Sequence, residues 1–312
     1  MADLRIIFMG TPEFAVASLQ ILVENNWPVV AVITAPDRKK GRGQVIIASP
    51  VKEYALAHNL PILQPTNLKA PAFLEELSTY NANLQVVVAF RMLPEVVWQM
   101  PALGTFNLHA SLLPNYRGAA PINWAIINGE KETGATTFFL QKEIDTGEII
   151  LQEKETITED DTVGSLYNRL MLVGSKLVLK TIEQIANNAV ATQPQQENDD
   201  LKTAPKIFKE TCEINWQLPA KAINNFVRGL NPYPTAWTII DGKTCKIFAV
   251  TLSDITRSGD TGTVITDHKS KIYVRGADGW LEILILQMEG KKRMHTADLL
   301  RGNPLINLPS FE

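Results

Sequence analysis

Two cysteines in 312 residues, Cys212 and Cys245, are too few for a disulfide framework, and neither has a CxxC or CxxH companion for zinc. They read as structural thiols in a reducing compartment, and no metal is expected. No stretch approaches the roughly 18 consecutive apolar residues of a membrane span. The start, Met1-Ala2-Asp3-Leu4-Arg5, lacks a basic lead and a small-residue cleavage site, so a cytoplasmic location is expected. Histidine is scarce too. Of four, His58, His268 and His295 sit in ordinary polar surroundings, whereas His109 lies inside an apolar run. Neither charge dominates: the net value is −3, which hides 16 basic against 22 acidic residues up to position 205 and 14 against 11 beyond it. A mildly basic C-terminal part reads first as solvated surface, with a phosphate-binding face as the alternative.

What is present is the composition of an ordinary soluble globular protein, 45% apolar and 20% charged, at a length that makes about two domains. The first part alternates almost unbroken apolar, β-branched runs (LRIIFMG, VVAVIT, LPILQ, LQVVVAF, TFNLHAS) with helical segments at about 12–25, 50–58 and 70–80. That pattern predicts a Rossmann-like α/β fold, a parallel sheet covered on both faces. TGATTFFL and GEIILQEKETI predict two more strands, and residues 162–185 one long amphipathic helix. Positions 190–206 are polar, without apolar periodicity, and read as a linker between a catalytic domain, 1–189, and a second domain, 207–312. The second domain offers one helix near 219–229 and five short β-rich runs separated by turn signals, the pattern of a small antiparallel β-barrel of OB-like type.

The most informative stretch is NLHASLLPNYRGAAPINWAIINGE, 107–130. Period-two alternation puts Phe106, Leu108 and Ala110 on one face of a strand and Asn107, His109 and Ser111 on the other. Leu113-Pro114-Asn115 ends that strand in a turn, and sites in open α/β sheets lie where strands end. An amide donates to an oxygen that gains charge, and a nearby imidazole moves protons, a pairing suited to attack on a carbonyl. Ser111 lacks a GxSxG elbow and is not read as a nucleophile. Asp145, in EIDTGEII, is either a turn residue or a carboxylate that orients an imidazole; without a second DTG or DSG an aspartic protease is excluded. Gly10-Thr11-Pro12-Glu13 reads as a strand-to-helix turn more than as an anion site. The segment 35–49 carries Arg38, Lys39, Lys40 and Arg42 with little secondary-structure signal at its basic end, and is either a solvated loop or a phosphate contact.

Taken together, NLHASLLPNYRGAAPINWAI followed by DTGEII resembles the folate-dependent formyltransferases. FMGTPEFAV, TAPDRKKGRG, SPVKEYA, KTAPKI and FVRGLNPYPTAW extend the resemblance along the whole chain, towards the branch that acts on aminoacylated tRNA. The resemblance implies transfer of the formyl group of 10-formyltetrahydrofolate, a co-substrate, to the α-amino group of methionine on initiator tRNA, for translation initiation. It assigns catalysis to Asn107, His109 and Asp145. It assigns folate contacts to Phe90, Arg91, Met92, Ser111, Leu112, Leu113 and Pro114. It places the tRNA acceptor end against Arg38, Lys39, Lys40 and Arg42, with Lys202, Lys206, Lys209 and the Lys291-Lys292-Arg293 run as further contacts. No obligate protein partner and no membrane are implied. The rivals are a formyltransferase for a nucleotide-linked amino sugar, one for glycinamide ribonucleotide, and a non-catalytic RNA-binding protein on the same fold.

Overall fold

The computed structural model describes residues 3–40, 44–196, 199–240 and 242–302. The chain opens with β1 (Ile6–Gly10), α1 (Glu13–Glu24) and β2 (Val29–Ile33), then a ribbon of β3 (Arg38–Lys40) and β4 (Val45–Ile47). Next come α2 (Pro50–Ala57), β5 (Ile62–Leu63), α3 (Pro71–Thr79), β6 (Leu84–Val88), α4 (Glu95–Trp98) and β7 (Thr105–His109). They are followed by β8 (Arg117–Gly118), α5 (Pro121–Ile127), β9 (Glu132–Phe139), β10 (Ile149–Thr156), α6 (Val163–Ala186) and β11 (Thr203–Ala204). The chain divides into two units, Met1–Gly118 with Thr133–Thr156 and Tyr167–Thr203, and Ala119–Glu132 with Ile157–Leu166 and Ala204–Glu312.

The first unit is built on a seven-stranded sheet in the order β10-β9-β7-β6-β1-β2-β5. Its centre is parallel, β7 with β6, β6 with β1, β1 with β2 and β2 with β5, and β9 joins β7 antiparallel. Every residue of β1 and β6 is buried, as strands covered on both faces must be. On one face Ile7, Met9, Ile33 and Val87 pack with Phe73 and Leu77 of α3 and Val97 of α4. On the other, α6 approaches β7 so closely that a Cβ at Gly174 would touch the Leu108 side chain. Helix starts follow their capping chemistry: Ser49 accepts from Lys52 N at 3.1 Å ahead of Pro50, and Pro71 opens α3. At the turn after β1, Phe14 N–H donates to the Tyr167 hydroxyl (2.9 Å), so one of the first amides of α1 is taken by protein, in keeping with a plain strand-to-helix turn.

One expectation fails. The basic segment after β2 is not structureless at its basic end: Arg38, Lys39 and Lys40 pair antiparallel with Ile47, Ile46 and Val45. The β-branched VII triplet supplies strand propensity that the run of cations alone does not reveal. Arg42 lies outside the described residues.

In the second unit α7 (Ala220–Gly229) is followed by β12 (Ala236–Ile240), β13 (Lys243–Ser253), β14 (Val264–Thr266), β15 (Ile272–Arg275), β16 (Trp280–Met288) and β17 (Met294–His295). They form a curled antiparallel half-barrel in the order β12-β13-β16-β15-β14, with β17 also on β16. Ile223 and Val227 of α7 pack on Ile247, Val274, Leu281 and Leu286 of the sheet. Burial pushes the Cys245 thiol up to about 12 and raises Cys212 as well, which keeps both neutral and unreactive. Arg228, buried in the same unit, donates to the carbonyls of Thr158 and Asp161 and to Asn225 Oδ1, each at 3.0 Å. Among the described residues, no helix is long and apolar enough to cross a membrane.

Gly147, just before β10, has no room for a side chain, because an added Cβ would fall inside the van der Waals envelope of the Phe139 carbonyl. Gly147→Ala is expected to destabilise by about 1–3 kcal/mol or more through overpacking against backbone. Gly302→Ala, which meets nothing within 4 Å among the described residues, should stay within about 0.5 kcal/mol; urea unfolding of the two variants checks the contrast.

Candidate functional site

The polar face of β7 leads to the site. Asn107 pairs with Phe138 and His109 with Thr136 across the antiparallel ladder to β9, so both side chains leave the sheet on one face, two residues apart. Asn107 is only partly buried, and its amide has no hydrogen-bond partner among the described residues. His109 is 6% exposed, and its Nε2 donates to the Tyr116 carbonyl oxygen at 2.8 Å. A carbonyl only accepts, so Nε2 carries the proton and the neutral ring keeps its lone pair on Nδ1. Nδ1 lies 3.9 Å from Asp145 Oδ2, too far for a direct hydrogen bond and close enough for the carboxylate to stabilise a positive charge on the ring if Nδ1 takes up a proton. The same carboxylate oxygen accepts from Gly118 N at 3.0 Å. Asp145 has φ +56°, a left-handed conformation that aspartate tolerates better than most residues. The structure therefore gathers Asn107, His109 and Asp145 in one unit, with the His109 ring steered by a main-chain carbonyl.

The turn after β7 is held by Ser111 and by two side chains from neighbouring strands, Thr136 and Gln152, that its own sequence does not announce. Ser111 Oγ closes it internally on the Asn115 carbonyl (2.7 Å). Thr136 Oγ1, fully buried, donates to the Ser111 carbonyl (2.6 Å) and accepts from Leu113 N (3.2 Å). Gln152 Nε2 donates to the Leu113 carbonyl (2.9 Å) and to Thr136 Oγ1 (3.0 Å). Leu113 is buried, while Leu112 and Pro114 are half-buried. The only advance signal for Thr136 was its place in the strand beside β7.

The other expected positions differ in kind. Phe90 packs beside the Val87 core cluster, and Met92 is 73% exposed. Arg91 spends its guanidinium on main chain, donating to the Thr66 carbonyl (3.0 Å) and the Pro65 carbonyl. Ahead of the basic ribbon, Asp37 is held below the usual carboxylate range by hydrogen bonds from Gln64 and Lys52. Arg38 and Lys39 are exposed on β3, and on its partner strand Ile46 and Ile47 are 66% and 43% exposed. Lys202 is exposed, with its backbone engaged: its N–H donates to Asn115 Oδ1 (3.1 Å) and its carbonyl accepts from Tyr116 N (2.6 Å).

The second unit carries a separate basic surface. A cleft of about 460 Å³ is lined by Lys206, Lys209 and Lys246 together with Tyr233, Trp237 and Thr244. Tyr233 is 82% exposed, and Lys206 Nζ stands 5.2 Å over the ring of half-exposed Phe208. Cations beside exposed aromatic faces suit phosphates and bases. Lys291, Lys292 and Arg293 are exposed as well, with the Arg293 guanidinium 4.2 Å over Phe248.

Comparison with known proteins identifies the family. Residues 4–182 match the formyl transferase family and 206–304 match the formyl transferase C-terminal domain. The methionyl-tRNA formyltransferase of Flavobacterium johnsoniae is 55% identical over 306 residues, covering 97% of both chains. That of Bacteroides thetaiotaomicron is 54% identical over 308 residues, covering 96% of both. Among solved structures, the sugar 3N-formyl transferase WlaRD superposes with a TM-score of 0.67 at 23% identity, over 94% of this chain and all of that one. HypX from Aquifex aeolicus, solved with tetrahydrofolic acid, superposes with a TM-score of 0.66 at 18% identity, over 99% of this chain and 49% of that one. The distant structures share the fold, and the near relatives and both domain matches share far more: the chain belongs to the formyl transferase family.

Proposed function

We propose that the protein transfers the formyl group of 10-formyltetrahydrofolate to the α-amino group of methionine carried by initiator tRNA. The observation that carries the reading is the Asn107 amide, a donor on β7 without a hydrogen-bond partner among the described residues, beside a histidine whose tautomer leaves Nδ1 facing Asp145. An amide with both donors available on the polar face of β7 fits a formyl oxygen that gains negative charge as the amine attacks. Support for the acceptor comes from relatives of that name, more than half identical along nearly the full length of both chains.

In this reading Asn107 donates to the formyl oxygen and stabilises the oxyanion. His109 takes up the proton that the amine gives up as the new C–N bond forms and returns it to N10 of the folate as the bond from N10 to the formyl carbon breaks, so that tetrahydrofolate leaves neutral; Asp145 supplies a negative charge to the ring. A free α-amino group has a pKa of about 7.7–8.0, so the site takes the neutral amine. The turn of Ser111, Leu112, Leu113 and Pro114, with Phe90, Arg91 and Met92, forms the side for the folate. Ser111 contributes by shaping that turn, since its hydroxyl proton is committed to the Asn115 carbonyl. Arg38, Lys39, Lys40 and Arg42, and separately Lys202, Lys206 and Lys209, meet tRNA phosphates, which position a nucleic acid without reading its sequence.

Asn107→Ala and His109→Ala are each expected to lower the chemical rate by about 10² or more, at nearly unchanged tRNA affinity. Single-turnover formylation with a separate binding titration tests this, and equal loss of binding would make both residues structural. Formyl transfer to an amino-sugar nucleotide, with none to charged initiator tRNA, would replace the proposed acceptor, and absence of any transfer would leave an RNA-binding protein.

The salt response of binding is a further check. If phosphates dominate the tRNA contact, log affinity falls linearly with log salt, and Lys206→Glu with Lys209→Glu reduces the slope by about two. A flat salt response measured by filter binding would remove the lysines from the tRNA surface.

A further inference from the structure

Residues 190–206 have the composition of a featureless connector, yet the described part of this segment runs into the reaction centre. Gln193 forms an antiparallel bridge with Ile149, through hydrogen bonds of 2.8 and 2.9 Å, and so fixes the register of the strap. Two residues on, the Gln195 side chain uses its whole hydrogen-bonding capacity. Its Nε2 donates to the Asp145 carbonyl and the Gly147 carbonyl, both at 2.8 Å. Its Oε1 accepts from Arg117 Nε (3.0 Å) and from a terminal guanidinium nitrogen of Arg117 (2.8 Å).

These contacts join the two segments on which the Asp145 carboxylate depends. One is the 145–147 loop, which carries Asp145 in a left-handed conformation and ends at Gly147, pinned under the Phe139 carbonyl. The other is Arg117-Gly118, whose Gly118 N–H is the donor to Asp145 Oδ2. A glutamine amide has two N–H bonds and a carbonyl with two lone pairs. Here both donors go to the first segment and the acceptor to the second. Carboxylate placement within a few tenths of an ångström matters because an ill-held group must be reorganised during the reaction.

We propose that Gln195 is a positioning residue for formyl transfer, fixing the Asp145 carboxylate beside His109 by tying the 145–147 loop to Arg117. The inference rests on the reading of Asp145 as a group of the reaction given above. It makes the strap part of the site: removing the Gln195 strut slows the chemistry without touching substrate.

Two variants separate the two ends of the strut. Gln195→Met keeps the length and loses every hydrogen bond. Gln195→Glu keeps the acceptor for Arg117 and sets a carboxylate against two carbonyls. With 10-formyltetrahydrofolate and methionyl initiator tRNA, both are expected to lower kcat about tenfold or more, with either KM within about twofold, at the same folded fraction by circular dichroism. Because the strut acts through Asp145, Gln195→Met added to Asp145→Asn should cost less than about a further twofold. Full kcat in both Gln195 variants alongside an impaired Asp145→Asn overturns the proposal alone, as does a fully additive double variant or a loss confined to the KM for tRNA. An Asp145→Asn enzyme at full rate overturns the reading of Asp145 and the proposal with it.

Discussion

The hydrogen bond from His109 Nε2 to the Tyr116 carbonyl is the constraint on which the rest of the site depends. It decides which ring nitrogen is free and turns that nitrogen towards Asp145. The acceptor is main chain, so its direction is set by backbone conformation: Tyr116 is left-handed, with φ +62°, and its own N–H is tied to the Lys202 carbonyl. A buried imidazole N–H without a partner would cost about 1–3 kcal/mol, so ring and turn hold each other. The same bond ties the histidine of β7 to a residue seven positions on, with the folded turn of 111–115 between them.

That turn is fastened from β9 and β10. Thr136 and Gln152 bridge the Ser111 carbonyl, Leu113 N and the Leu113 carbonyl, and Thr136 is also the register partner of His109. A one-residue slip of β9 against β7 would move Thr136 to the wrong face and release the turn. Register is fixed by packing on both sides, since Phe106, Phe138 and Leu108 are all buried. Core burial, which carries no chemistry, thereby positions polar groups at the strand end that do.

What the sequence made legible follows from what it encodes directly. Unbroken β-branched runs fix parallel strands, period-two alternation put Asn107 and His109 on one face, and turn residues marked the strand end. The ribbon of β3 and β4 escaped because a run of cations carries neither periodicity nor strand propensity, and the β-branched propensity of its partner VII spans only three residues. Tyr116 and Gly118 escaped for another reason: they act through a carbonyl and an N–H that every residue has, so residue type gives no hint of them. Gln195 is the third kind. It sits among polar residues whose composition is that of a solvated linker, and only the path of the chain turns one of them inward. Arg91 was legible as a residue near the strand end, but not the use of its guanidinium on the Pro65 and Thr66 carbonyls, which depends on a loop 25 residues away.

The proposed reaction sets a condition that this geometry meets. An attacking amine must lose a proton as its bond to the formyl carbon forms, and the base that receives it needs a lone pair at that moment. With Nε2–H committed to a carbonyl, Nδ1 is the ring atom that can accept, and positive charge then appears on a ring 3.9 Å from a carboxylate. Electrostatic help of this kind is greatest when the charge is already in place, because nothing has to reorient during the reaction. Asp145 is held for that by the Gly118 N–H and by the Gln195 strap, and the Asn107 amide, on the same face of β7 as His109, has no hydrogen-bond partner among the described residues. In the proposed reaction the labour is divided: the sheet fixes where the oxyanion donor stands, and the turn and strap fix where the proton goes.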